Sequence, residues 1–224
     1  MEISDFQFSK RFDDFDSEEF FNRLIVLVIH AYLDILKTKQ YVKSEMIRKR
    51  ENEYRDDLVE RMINLQGDFG FNELIINCEV QERIKGVDER GLLDIKIQYR
   101  NLKNARIINE FYHTIECKRF GKDLNINDYY KNGILKFING KYSNNALYAG
   151  LICFIEEFKD DWDMDDIVVK FNEKLKEKGL AALINTPNEF YKHVYNLSLD
   201  RQFNEHNLNL IHLMFDYSDI YFDN

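Results

Sequence analysis

Gly91-Leu92-Leu93-Asp94-Ile95-Lys96-Ile97 and Phe111-Tyr112-His113-Thr114-Ile115-Glu116-Cys117-Lys118-Arg119-Phe120 are the two runs whose reading decides the fold. Both are rich in the β-branched and aromatic residues that suit a pleated, half-buried surface, yet each carries charge where a strand should be apolar. The charge-rich segment from Tyr99 to Glu110 suits a long hairpin connection, so an antiparallel pair is the economical topology. Side chains alternate across a strand, which puts Glu116 and Lys118 on one face and Ile115 and Cys117 on the other. The hairpin therefore concentrates Asp94, Glu116 and Lys118 on a single face.

That grouping has a chemistry. A hard cation such as Mg²⁺ takes carboxylate oxygens and keeps several waters, so an Asp from one strand and a Glu from the next can hold it against a phosphate oxygen. Lys118, one pleat away, can orient or help deprotonate an attacking water and stabilise charge building on phosphorus. The alternative is a surface salt bridge, because Glu-x-Lys recurs in strands with one wet face. Asp88 and Glu89 also offer carboxylates, but they precede the strand, whereas Leu92, Leu93, Ile95 and Ile97 fix Asp94 by packing.

Asp94, a variable hairpin loop and then Glu116-Cys117-Lys118 resemble the PD-(D/E)XK signature of restriction-endonuclease-like nucleases, with Leu93 where the signature has Pro. The resemblance covers roughly residues 50 to 155. It implies an α/β fold in which a central mixed β-sheet is flanked by helices, with an N-terminal helix and C-terminal strands added. It further implies metal-dependent phosphodiester hydrolysis with Mg²⁺ or Mn²⁺ as cofactor. Asp94 and Glu116 would be the ligands, the main-chain carbonyl of Cys117 would complete the sphere, and Lys118 would handle the nucleophile. Many such enzymes take a further Glu from a helix that precedes the core strands. Glu53 is the nearest match, an exposed helix residue being the alternative. The resemblance favours DNA over RNA as the substrate, in the manner of small bacterial or phage-defence nucleases.

Composition sets outer limits. The 224 residues are 45% hydrophobic, enough for a sizeable core in one domain spanning 1–224. One Pro and nine Gly argue against disorder or a flexible linker. Cys78, Cys117 and Cys153 are odd in number and flanked by apolar residues, and they read as buried free thiols in a reducing cytoplasm. An acidic N-terminal stretch does not read as a secretory signal, and the apolar run from Ile25 to Leu33 is too short to span a bilayer. No membrane partner is expected.

A net charge of −9 argues at first against nucleic acid, but distribution decides. Acids crowd Asp13 to Glu19 and Glu156 to Asp166, while the stretch after Glu116 is basic. Arg119, Lys122, Lys136 and Lys141 are the candidate phosphate contacts. Ser143 joins them if the Lys141-Tyr142-Ser143 turn binds phosphate, a plain surface loop being as good a reading.

The remaining elements follow from periodicity. Ser17 with Glu18 and Glu19 starts a helix of residues 17–39, apolar over more than one stripe, which fits core packing or a homodimer face. Tyr54, Leu58, Met62 and Leu65 mark a second helix. Residues 73–82 read as the first core strand, Asp128 caps a helix running to Ile138, and Ala146 to Glu156 is a buried strand. Residues 160–224 read as covering elements, a helix from Asp165 to Lys178 and two strands that extend the sheet or form a second layer. His193 and His212 sit in apolar alternations as core or edge histidines. No zinc spacing, phosphate loop, dinucleotide fingerprint or serine elbow is present. With no sequence-reading module, targeting would come from a partner protein or self-association. A nuclease-like subunit that only binds nucleic acid, and an acidic mimic of nucleic acid, are the competing readings.

Overall fold

The computed structural model describes residues 18–39, 41–42, 50–81, 92–99, 112–121, 126–142, 146–159, 162–201 and 206–222. Asp88, Glu89, Lys122 and Ser143 lie outside them. A seven-stranded mixed sheet runs in the order β2 (Leu74–Gln81), β3 (Leu92–Tyr99), β4 (His113–Phe120), β5 (Tyr148–Ile155), β8 (Leu208–Asp216), β7 (Val194–Leu199), β6 (Ile184–Asn185). β2, β3 and β4 are antiparallel, β4, β5 and β8 are parallel, and β7 and β6 return antiparallel. A short parallel pair, β1 (Tyr41–Val42) and β9 (Tyr221–Phe222), stands apart from this sheet.

Helices cover both faces. On one, α1 (Glu18–Thr38) and α2 (Arg50–Leu65) lie over Ile95, Ile97, Ile115, Cys117, Ile152, Phe154, Leu213 and Phe215. The breadth of apolar surface on α1 is used inside the chain, since Phe20, Phe21, Leu24, Leu27, Val28, Ile29, Ala31 and Ile35 are all buried. Rings dominate here: Tyr32 stacks on Phe215 at 4.0 Å, and Tyr54 meets Phe154 at 5.3 Å and Tyr217 at 4.7 Å. Lys39 and Asp57, at 2.7 Å, tie the two helices together.

On the other face α3 (Ile126–Tyr129) passes through a π-helical turn (Tyr130–Ile134) into α4 (Leu135–Ile138), followed by α5 (Met164–Glu177). Asp128 falls in the first turn of α3 instead of capping it. Asp163 caps α5, its carboxylate accepting from the N–H groups of Asp165 and Asp166 while Asp166 reaches back. Phe120, Tyr129, Phe171 and Leu210 build this second core.

β8 and β7 extend the sheet, one of the two arrangements open to residues 160–224, and β8 is central in it, its residues buried on both faces as in a strand sandwiched between helix layers. One expectation changes. Cys78 is exposed, although Cys117 and Cys153 are buried and all three are free. No helix among the described residues is long and apolar enough to cross a membrane.

His212 is fully buried on β8, with Nδ1 3.3 Å from the Tyr129 hydroxyl, and burial pushes its pKa down to about 3. Because this pKa is depressed, the folded state takes up its proton later than the unfolded chain. The stability tied to neutral His212 is therefore complete above the ordinary value of 6.5 and is lost as pH falls towards about 3. His212→Leu removes this component, a few kcal/mol at its largest. Melting curves between pH 7 and pH 4 should fall less steeply for the variant, and equal slopes would contradict the assignment.

Candidate active site

The site lies where β3 and β4 part. Their register runs Ile97↔His113, Lys96↔Thr114 and Ile95↔Ile115. One residue further, side chains replace the ladder: Asp94 Oδ2 accepts the Cys117 N–H at 2.8 Å, and Glu116 Oε1 accepts the Asp94 N–H at 3.3 Å. The same level is broken on the other side, where pairing passes from Cys78↔Ile95 to Val80↔Leu93 without Glu79 and Asp94. Leu93 packs in the core under α3–α5, whereas Ile95 and Ile97 pack under α1 and α2. Strict alternation would put all three on one face, so β3 turns over at Asp94.

Lys118 comes from β4 beneath the π-helical turn. A Cβ at Gly133 would lie 3.3 Å from the Leu151 side chain and 3.7 Å from Lys118 Cγ, so the missing side chain lets the turn settle on the lysine stem. Nζ of Lys118 donates to Asp94 Oδ2 at 3.1 Å and to the Cys117 carbonyl, and it lies 3.4 Å from Glu51 Oε1. Glu51 also accepts the Arg119 N–H at 3.1 Å, which docks the start of α2 on β4. From α2, Arg55 reaches Asp94 Oδ1 at 3.7 Å. From beyond α4, the Tyr142 hydroxyl accepts from Lys136 at 2.9 Å and favours the ionised form of Glu116.

Charge is concentrated out of water. Glu116 is 0% exposed and Asp94 8%. Burial raises the Glu116 pKa well above its ordinary value, Lys118 opposing and Asp94 adding to the rise. Burial would raise Asp94 too, but its contact with Glu116, the charge of Lys118 and the Cys117 N–H bring it below the ordinary value. Burial tends to discharge Lys118, yet Glu116, Asp94 and Glu51 outweigh it and hold it as an ammonium. Buried Oε2 of Glu116 makes no hydrogen bond of ordinary geometry.

A hard cation suits this donor set in part. Two adjacent carboxylates, one with a buried oxygen lacking a hydrogen bond of ordinary geometry, and the Cys117 carbonyl are oxygen ligands of the kind Mg²⁺ or Mn²⁺ takes. Glu51 faces the same centre from behind the Lys118 ammonium. Among the described residues no three His, Cys, Asp or Glu side chains are already arranged around one point.

The expected residues divide accordingly. Asp94, Glu116, Cys117 and Lys118 come together. Glu53 does not: it is exposed, and Glu51 takes the place at the cluster. Helical phase is the reason, since residue 51 precedes buried Tyr54, Arg55 and Leu58 by three, four and seven residues, whereas residue 53 is two steps, about 200°, round the helix from residue 51 and so on its opposite side. Arg119 is not at the site either. It follows Cys117 on the α1–α2 face and forks onto Glu156 at 2.9 and 2.6 Å, with Tyr54 donating to the same carboxylate at 2.8 Å. Lys136 stands beside Tyr142 at the rim, and Lys141 is half-buried in the following bend. Arg55 has no place in the sequence reading of the site, and Tyr142 enters it only through the Lys141-Tyr142-Ser143 turn, not as a neighbour of Glu116. The helical stripe carried a signal for Arg55, while Tyr142 had none stronger than its closeness to Lys141.

Comparison with protein-family models, with curated proteins and with solved structures finds no match to this chain.

The crowded pair has a measurable cost. Stability linked to a raised carboxyl pKa is complete below the ordinary value of 4.5 and is lost as pH rises through the raised one. Glu116→Gln, whose amide can still accept from the Asp94 N–H, escapes that loss. In EDTA the variant should therefore melt above the wild type at pH 8 and close to it at pH 4.5. A variant that melts below the wild type at pH 8 would refute carboxylate crowding.

Proposed function

We propose that the chain is a metal-dependent phosphodiesterase of the PD-(D/E)XK type, acting on DNA before RNA. The observation that carries the reading is the Asp94–Glu116 pair, set side by side at the break between β3 and β4, with a buried oxygen of Glu116 that makes no hydrogen bond of ordinary geometry. Asp94, Glu116 and the Cys117 carbonyl would hold Mg²⁺ or Mn²⁺, whose chemistry is to polarise a phosphoryl oxygen and acidify a water.

The chain's own groups set the rest. Lys118, kept charged by its carboxylate neighbours, orients the attacking water and faces the negative charge that grows on phosphorus, in place of acting as a base. To reach that water, Lys118 Nζ would have to exchange its present contact with Asp94 Oδ2, at 3.1 Å. Lys136 and Lys141 sit on the side of Tyr142, where the flanking phosphates of a bound strand would pass. Their contribution is to affinity and not to the chemical step.

One observation favours a fold that binds nucleic acid without cutting it: Lys118 occupies the space between Asp94 and Glu51. The same assay separates the two readings. Plasmid, linear and single-stranded DNA and RNA are incubated with Mg²⁺, Mn²⁺ or EDTA. Cleavage should require the cation, fall to the EDTA level in Asp94→Asn, and drop about 10²-fold to 10³-fold in Lys118→Met with binding little changed. Lys141→Ala should weaken binding and lower its salt slope by about one. Binding without cleavage under every condition would favour the binding-only fold, and cleavage undiminished in Asp94→Asn would remove the site.

A further inference from the structure

Glu79 is the one non-glycine residue with positive φ among the described residues, at 52°. Left-handed backbone is costly for a residue with a Cβ, and such strain persists only where surrounding contacts over-determine it. Its place is informative, because Glu79 lies on β2 level with Asp94, at the gap in the β2–β3 ladder. The carboxylate that this conformation presents meets two residues of α2: Oε1 accepts from Asn52 Nδ2 at 3.2 Å and lies 3.2 Å from Arg55 Nη2.

Arg55 is the buried half of the arrangement. Its side chain is 3% exposed, and its guanidinium is held by Asp56 at 2.7 and 2.9 Å as well as by Glu79. The remaining edge of the fork faces Asp94 Oδ1 at 3.7 Å, opposite the oxygen that Lys118 and the Cys117 N–H engage. Asp94 thus has a cation on each side, Lys118 of β4 hydrogen-bonded to Oδ2 and Arg55 of α2 at ion-pair distance from Oδ1. A planar fork that meets three carboxylates at once fixes direction in a way a lysine cannot.

We propose that Glu79 and Arg55 are positioning residues for Asp94, the strained backbone of Glu79 being kept because it aims the fork that sets the Asp94 carboxylate. The inference rests on the reading of Asp94 as a metal ligand only for its consequence, a tuned cation affinity. Groups that orient a ligand from outside its coordination sphere typically change metal affinity 10-fold to 100-fold.

The deciding variant is Glu79→Gly, which removes the carboxylate and also relieves the backbone, since glycine adopts positive φ freely. A merely structural Glu79 predicts a stability change and nothing at Asp94. Positioning predicts the reverse: a melting temperature equal to or above that of the wild type, with a displaced Asp94 carboxyl ¹³C resonance in the metal-free protein at fixed pH. Arg55→Lys should displace the same resonance, and Glu79→Gln should displace it less than glycine does. In calorimetric titration Mn²⁺ should bind Glu79→Gly about 10-fold to 100-fold more weakly than the wild type. An unmoved Asp94 resonance in both Glu79→Gly and Arg55→Lys overturns the positioning role whatever the metal does. A wild type that binds no Mn²⁺ overturns the metal reading, and the resonance then still decides the positioning role by itself.

Discussion

Asp94 and Glu116 stand side by side between two strands, nearly out of water, and their mutual repulsion is the constraint to which the surrounding structure is fitted. A buried pair of carboxylates is tolerated when protons, hydrogen bonds or cations offset the charge. Here all three contribute: Glu116 is pushed towards its protonated form, main-chain N–H groups point at both side chains, and Lys118 and Arg55 approach Asp94 from opposite sides. A core built for stability alone would have continued the β3–β4 ladder with apolar residues at this level. The break in the ladder marks a place where regular strand pairing has yielded to buried charge.

The scaffold explains why the break does not spread. α1 and α2 press an aromatic layer onto one face, and α3 to α5 close the other, so β3 and β4, the strands on either side of the gap, are both held by packing. Glu156 has a structural part in this. By pairing with Arg119 and accepting from Tyr54 it locks the end of β4 to β5 and α2, which keeps Lys118 and Glu51 in register. The missing Cβ of Gly133 does the same from the opposite side, letting the π-helical turn rest on Lys118.

Much of this was legible in the residues. Asp94, Glu116 and Lys118 stood out because charge in the middle of strand-like runs is expensive unless it is used, and alternation with an antiparallel hairpin brought them together. What escaped was set by three-dimensional phase. Glu53 and Glu51 look equivalent in a charged helix start, and only the stripe formed with Tyr54, Leu58 and Met62 distinguishes them. Arg119 belongs by composition to the basic stretch, but its strand parity sends it to the other face, where Glu156 from β5's end meets it. β8 was legible as a strand, but its place beside β5 depends on a crossover far along the chain, which no local pattern encodes. The positive φ of Glu79 has no sequence signal, since a glutamate within a strand-like run gives no hint of left-handed backbone.

Whether the Asp94–Glu116 pair is a cation site is tested most directly by anomalous diffraction from crystals soaked in Mn²⁺. The predicted result is a single strong peak within about 2.0–2.3 Å of one oxygen from each carboxylate, with Lys118 Nζ withdrawn from Asp94. Crystals that bind no Mn²⁺ between these residues at millimolar concentration, with Lys118 still seated on Asp94, would contradict it and leave the cluster as a buried ion pair.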